Sequence, residues 1–251
     1  MIYGLYLSTA GAQAQSRRQD VVANNIANVD TTGFRRQFLA ARRRLDHLGE
    51  LGAAAPSEPA DPRRIGGGVV AAPTYDDLHT QGPMKPSSSP THLAVAGDGF
   101  FRIRRGGEVF LTRNGAFSLD AKGRLTTSDG RGLVLSTKGD PIQVDPNKPL
   151  HVSNDGKVVQ DNRSLGEIAV VLPANERSVE RRGDSLLSYD GRNRAASGRV
   201  KQYFLEGSNV EPILEMVDLI GAARAFETNV SMIQLQSDTL GQLIDRVGRP
   251  A

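Results

Sequence analysis

From residue 216 to residue 247 the apolar side chains fall in a three-four-three-four rhythm: Met216, Leu219, Ala223, Phe226, Val230, Ile233, Ser237, Leu240, Ile244 and Val247, with only Ser237 polar. A period of 3.5 residues keeps one narrow seam on one side of a helix, and such a seam needs a second helix to cover it. At 1.5 Å per residue this helix runs for roughly 48 Å. Ser208-Asn209-Val210-Glu211-Pro212 precedes it, with Ser208 and Glu211 in capping-box spacing and Pro212 suited to a first helical turn. A weaker heptad lies at the other end of the chain, at Ile2, Leu5, Thr9, Ala12, Ser16, Gln19, Ala23 and Ile26. That helix is expected to stop near Asn28, ahead of Asp30-Thr31-Thr32-Gly33. Two terminal helices that pair with each other satisfy both patterns.

Between them the text changes. Residues 46–68 are rich in Ala, Gly and Pro and read as a connector. From Val69 to about Leu205, short β-type runs (93–95, 100–104, 109–112, 117–119, 133–135, 142–144, 168–172 and 200–205) alternate with turn dipeptides. Five of these, Gly106-Gly107, Asn114-Gly115, Lys122-Gly123, Asp129-Gly130 and Lys138-Gly139, recur every seven to nine residues, the rhythm of an antiparallel meander. Crossover helices have no room here, so a parallel sheet is excluded. The expected fold is α+β: an antiparallel, all-β central domain inserted between N- and C-terminal helices that pair as a coiled coil. The expected division is 1–34 plus 208–251 as a discontinuous helical domain, 35–75 as connector and 76–207 as a β-rich outer domain.

Composition narrows function mostly by exclusion. The 251 residues include no cysteine and no tryptophan, so disulfides and thiolate chemistry are absent and the core is largely aliphatic. No apolar stretch approaches the ~20 residues of a membrane-spanning helix, and the first residues lack the features of a cleavable secretory signal. Net charge is +3, and six lysines leave 25 of the 31 basic residues as arginine. The clusters Arg35-Arg36, Arg42-Arg43-Arg44, Arg63-Arg64 and Arg181-Arg182 raise a nucleic-acid reading. Nearby acids and the lack of interleaved aromatics favour ordinary solvated charge instead. His47, His79, His92 and His151 have no zinc-ligand spacing, and neither a nucleophile elbow nor a phosphate loop occurs. No catalytic residue, cofactor site or metal site is expected. A carbohydrate-active enzyme with two converging carboxylates is the rival reading that the β-rich centre leaves open.

Ala23-Asn24-Asn25-Ile26-Ala27-Asn28-Val29-Asp30-Thr31-Thr32-Gly33-Phe34-Arg35 resembles the N-terminal signature of the bacterial flagellar axial proteins of rod, hook and hook-filament junction. Asp98-Gly99-Phe100-Phe101 and Thr112-Arg113-Asn114-Gly115-Ala116-Phe117 resemble two motifs of that family's central β-domain. Glu206-Gly207-Ser208-Asn209-Val210 with Met216-Val217-Asp218-Leu219-Ile220 resembles the start of its C-terminal helix. Length and motif order are most similar to the basal-body rod proteins, with Met1-Ile2, Leu5-Tyr6 and Gln81-Gly82-Pro83 leaning to the distal-rod type and Glu211-Pro212 to the proximal one. Ala223-Arg224-Ala225-Phe226-Glu227 departs from the family's usual Gln-Arg-Ala-Tyr-Glu.

The resemblance implies a non-enzymatic structural subunit of the rod between motor and hook, exported unfolded through the flagellar type III apparatus without a cleaved signal. It implies a tubular homopolymer built by the terminal helices. Its other partners would be further rod proteins, the hook protein and the surrounding basal-body rings, with no nucleic acid bound and no membrane insertion. The residues expected at subunit interfaces are Leu5, Asn24, Asn25, Ile26, Asn28, Phe34, Leu219, Ala223, Phe226, Val230, Ile233, Leu240 and Ile244. Asn24 and Asn25 would hydrogen-bond between subunits, while Asn28 would either do so or cap its helix. Arg35, Arg36 and Arg113 would form exposed ion pairs of small individual value.

Overall fold

Two helices flank a region of short strands. Helix α1 covers Ile2–Ala27 and helix α2 covers Pro212–Val247. The computed structural model describes residues 2–43, 69–183, 185–189 and 191–247. Two compact units emerge, and their bounds differ from the expected ones. One contains residues 1–26, 37–74 and 212–251; the other contains 27–36 and 75–211.

In the helical unit, α1 and α2 lie antiparallel. Arg18 Nη2 meets Asp218 Oδ1 at 3.3 Å, and Asn25 Nδ2 donates to Glu215 Oε2 at 3.1 Å. Nearer the chain start, Gly4 lies against the Gln236 side chain and Gly11 against Asn229. The protected side of α2 runs through Glu215, Leu219, Ala222, Phe226, Asn229, Ile233, Gln236 and Leu240. Four of the ten expected seam residues, Leu219, Phe226, Ile233 and Leu240, therefore lie on this side. At four others, Met216, Ala223, Val230 and Ser237, the seam moves back by one residue to Glu215, Ala222, Asn229 and Gln236, because Glu215, Asn229 and Gln236 are the side chains opposite Asn25, Gly11 and Gly4. The capping box does not form. Buried Ser208 accepts from the Val210 amide instead, and α2 begins with Pro212 in its first turn.

The stretch expected as a connector is structured at both ends. Strand β1 (Gln37–Arg43) pairs with β2 (Val69–Asp76) in a two-stranded sheet. The Ala/Gly/Pro-rich stretch from 46 to 68 lies outside the described residues.

In the other unit, the main sheet contains, in chain order, β5 (Phe100–Arg105), β6 (Glu108–Thr112), β7 (Phe117–Leu119), β8 (Leu125–Thr127), β9 (Leu133–Val134), β14 (Glu180–Arg181) and β15 (Leu186–Ser188). Across the sheet they follow the order β14-β15-β6-β5-β9-β8-β7. Adjacent strands pair antiparallel throughout this path. The hairpins at Gly106-Gly107, Gly123 and Gly130 fall where the turn dipeptides placed them.

Asn114-Gly115 breaks the meander: β6 and β7 are not neighbours, and β7–β9 return along the opposite edge of β5. Gly115 is absent from the left-handed conformations that mark the true turns. Its backbone lies so close to the Leu93 carbonyl that a Cβ would collide with it, and its own carbonyl accepts from the Leu93 amide at 3.0 Å. The dipeptide is spent on docking a strand rather than reversing one. Ile142–Val144, expected as a strand, contributes buried Ile142 and Val144 through isolated pairing at Gln143.

Alternation along β5 divides the apolar burial between the two faces of the sheet. Phe101 and Ile103 enter the larger cluster with Leu93, Val95, Phe117 and Leu125, whereas Phe100 joins Leu78, Leu111 and Leu187. Phe101 and Phe117 meet edge to face, with centroids 5.1 Å apart.

Candidate functional site

The three sequence motifs converge in the β-unit. Strand β18 (Phe204–Glu206) pairs with β3 (Met84–Pro86) and carries Glu206 into the interior. Arg35, from the segment following α1, reaches it with Nη2 to Oε1 at 3.0 Å. Arg113, just after β6, reaches the other oxygen with Nη1 to Oε2 at 3.0 Å. The Gly82 amide also donates to Oε1, at 3.0 Å. All three charged side chains are about 1–2% exposed.

Part of the arginines' remaining hydrogen-bonding capacity goes to backbone, while the buried Nε of each has no hydrogen-bond partner among the described residues. Arg113 donates to the carbonyls of Val95 and Gly97, and Arg35 donates to that of Thr80. The Phe100 ring lies under both guanidiniums, 5.0 Å from that of Arg113 and 6.0 Å from that of Arg35. Burial pulls the Arg113 guanidinium down to about 10, with Glu206 opposing the shift. Arg35 is lowered by the same cause. Both remain charged at neutral pH, so Glu206 is their essential counter-charge.

Backbone and amide bonds complete a clasp. The Gly33 amide donates to the Glu206 carbonyl at 2.8 Å, and Gly33, at φ +68°, packs on the backbone of Arg113 and Asn114. Asn209 Oδ1 accepts from the Arg36 amide at 2.6 Å, while its Nδ2 donates to the Thr80 carbonyl at 3.1 Å. Arg181 pairs with Asp76, donates to the Arg35 carbonyl, and lies 4.3 Å over the Phe34 ring. The segment leaving α1 and the segment approaching α2 are thereby fastened to each other. This arrangement positions chain segments and offers no nucleophile or acid–base pair. Among the described residues, no group of three or more His, Asp or Glu side chains could hold a metal ion. Nor is any helix among them long and apolar enough to cross a membrane.

Matches to known proteins follow the same three segments. Residues 5–35 match the family model "Flagella basal body rod protein", residues 94–180 match "Flagellar hook protein FlgE/F/G D1 domain", and residues 201–246 match "Flagellar basal body rod FlgEFG protein C-terminal". Over 98% of both chains, the sequence is 31% identical to the flagellar basal-body rod protein FlgF of Caulobacter vibrioides. The chain belongs to the flagellar basal-body rod protein family. It is 30% identical to FlgG of Agrobacterium fabrum over 96% of this chain and 98% of that one, and 30% identical to FlgG of Bacillus subtilis over 98% and 99%. As a rod protein it is a structural component of the basal body rather than an enzyme. Both FlgF and FlgG relatives fit the basal-body reading, and a leaning to the distal rod is consistent with the FlgG matches.

The expected interface residues of this rod protein occupy different settings. Leu5, Ile26, Leu219, Ala223, Phe226, Val230, Ile233 and Leu240 are half-buried, while Asn24 and Ile244 are exposed. Asn25 is buried and engaged within the chain: besides Glu215, its carboxamide accepts from the Gln37 amide and donates to the Gln37 carbonyl. Asn28 Oδ1 takes the Thr31 hydroxyl at 3.1 Å, and its carbonyl takes the Thr31 amide, as at a helix end. Phe34 is core, covered by Arg181.

Arg35 and Arg113 overturn the expectation of exposed, weak ion pairs. The sequence signal was available: both lie inside the motifs that carry the family resemblance. Glu206, their partner, had no signal besides its motif, because an isolated Glu before Gly looks like any surface turn. Arg35 and Arg181, counted among basic clusters, face inward and are spent on the fold.

Proposed function

We propose that this rod protein polymerises helically with further copies of itself through its terminal helices, which associate as a coiled coil and form one layer shared between subunits. The observation that carries this reading is the outward face of α2. Ile213, Leu214, Met216, Val217 and Ile220 are 51–75% exposed on consecutive turns, opposite the side that meets α1. A contiguous apolar patch of this kind on a soluble chain marks a contact surface. Farther along, α2 passes the start of α1, since Gly4 already meets Gln236, and Leu243 and Ile244 are exposed beyond that point.

Each such side chain that a neighbour buries contributes roughly 1.5–3 kcal/mol. Head-to-tail contacts whose rotation does not close propagate as a filament. Leu5, Asn24, Ile26, Val230 and Ile244 complete the shared layer in this reading. The same polymer would continue into other rod proteins and the hook, within the basal-body rings and across the periplasm. Delivery in an unfolded state by the flagellar export apparatus accords with a chain free of cysteine.

Replacing Val217 and Ile220 together with Asp tests the proposal. Both residues are exposed, so monomer stability should change by no more than about 0.5 kcal/mol per site. Pelleting of polymers, and recovery of the protein in purified basal bodies, should be lost. A double variant that still assembled would sink the reading.

A further inference from the structure

Three layers between α1 and α2 carry an amide or a carboxylate, and all three recur at heptad spacing. Gly4 faces Gln236, Gly11 faces Asn229 and Asn25 faces Glu215, so each step of seven or fourteen along α1 is matched by the same step back along α2. The fit is one of size as well as polarity. A Cβ on Gly11 would stand 2.5 Å from Asn229 Oδ1, and one on Gly4 would stand 3.0 Å from Gln236 Nε2. Asn229 turns its Nδ2 onto the Ala225 carbonyl at 2.7 Å, which leaves its oxygen directed at Gly11. Glu215 is fully buried and receives the Asn25 amide, which the Gln37 backbone holds in orientation from the other side.

Apolar heptads alone tolerate a slip of seven residues, because Leu219, Phe226, Ile233 and Leu240 are interchangeable from one layer to the next. Polar groups at core positions are not, and they select one register at some cost in stability. A slip in one direction would set Asn25 against Ala222 and Gly4 against Leu243, stranding the Glu215 carboxylate away from its amide. A slip in the other would carry Asn25 past the start of α2 and set Gly4 against Asn229. A one-heptad slip therefore breaks the Asn25–Glu215 pair in both directions, while one Gly–amide pairing survives in each.

We infer that Asn25 and Glu215, supported by the Gly4–Gln236 and Gly11–Asn229 layers, act as specificity-determining residues that fix the register of the terminal helices. That register sets how far α2 extends beyond α1 and where its exposed apolar face is offered to a second copy. The inference rests on the proposed polymerisation for its purpose, although the register itself is a property of one chain.

The native chain has no cysteine, so paired cysteines report register without interference. In the full chain at a concentration too low for polymers, Ser8→Cys, between the Gly4 and Gly11 layers, is combined with Ile233→Cys for the native register, and with Leu240→Cys or Phe226→Cys for the two slips, so that all three polar layers stay intact. Oxidation should yield the 8–233 disulfide and little of the others. Adding Glu215→Leu should raise the slipped products roughly tenfold, the effect of losing a hydrogen bond to a buried charged group. Glu215→Gln, which can still bond Asn25, should keep the native pattern and controls for a variant whose helices melt; helix content is followed by circular dichroism.

Slipped products that stay low in Glu215→Leu, with helicity retained, would overturn the inference. So would a native chain that forms all three disulfides equally, or none. Polymer formation is scored separately by sedimentation: a chain with the native disulfide pattern and no polymer would fail the proposed function and leave the register assignment standing.

Discussion

Glu206 and Glu215 are nine residues apart and both fully buried, yet they belong to units that use burial differently. Glu206 sits in a unit whose apolar side chains are withdrawn from water: Phe100, Phe101, Ile103 and Leu125 have no exposed surface. Its two arginines come from segments about 80 residues apart in sequence, so the ion cluster closes a fold that is otherwise complete. Glu215 sits in a pair of helices that bury some of their large apolar residues only in part and turn others away from the common seam, with Ile213 75% and Val217 63% exposed. Polarity therefore has two roles in one chain. In the β-unit it locks segments around a finished core, and in the helix pair it aligns two rods while apolar surface is left for something else to cover.

The first way to break this comparison is to remove the lock. Glu206→Ala leaves Arg35 and Arg113 buried without a counter-charge, and it should destabilise the β-unit by about 3–5 kcal/mol, the range found when one partner of a buried ion pair is deleted. Urea unfolding followed through the β-sheet signal measures it. If the midpoint stayed within error of the native protein, the cluster would not be holding the unit together. The size of the effect follows from asymmetry: replacing a whole ion cluster by apolar groups can be neutral, but stranding two guanidiniums cannot.

A smaller loss is expected at Gly33. Its φ of +68° suits glycine, and a Cβ there would run into the Asn114 amide and the Arg113 carbonyl carbon. Gly33→Ala should cost about 1–3 kcal/mol, as strained left-handed residues do. The same urea titration reads it. A substitution at Gly106 is the control, because a Cβ there meets nothing within 4 Å despite a similar φ of +60°. Equal losses at both sites would show that backbone conformation alone matters and that the packing of Gly33 onto the Arg113 segment contributes nothing.

Local signals in the sequence carried the fold class and failed wherever a residue's use depended on a distant segment. The helices, the end of α1 beyond Ala27, Pro212 in the first turn of α2, and the hairpins at Gly106, Gly123 and Gly130 follow from local rules of periodicity and turn chemistry. Asn114-Gly115 obeys the same local rule and does something else, because the approach of Leu93 decides its conformation. The α2 seam was half legible for a related reason. Periodicity finds the most apolar stripe, and here the inward stripe alternates that set with Ala222, Asn229 and Gln236 while Val217 and Ile220 face outward. The clasp was legible as motif and illegible as geometry, since nothing near Arg35 in sequence announces that its partner is 171 residues away.

The smallest expected effect lies at the clasp's edge and tests whether its outer members are tuned like its centre. Burial raises the Asp77 carboxyl, but hydrogen bonds from Thr80 and the His79 amide, together with the charge of Arg35, outweigh it and hold the group below its ordinary 3.8. The Thr80 and His79 amides donate to Oδ1 at 3.0 and 3.2 Å, and Asn209 Nδ2 approaches Oδ2 at 3.4 Å. A carboxylate whose folded value is depressed contributes stability that is fully present above its unfolded value and is lost as pH falls through the folded one. The native protein should therefore lose this contribution only below about pH 4. Asp77→Asn should be slightly less stable at pH 7 and should show a shallower decline from there to strongly acid solution. Because Asp77 is partly open to solvent, screening keeps the difference small. Denaturant midpoints measured across that range in both proteins compare the slopes directly. Parallel curves would mean that the Asp77 charge makes no contribution, confining the electrostatic lock to Glu206 and its two arginines.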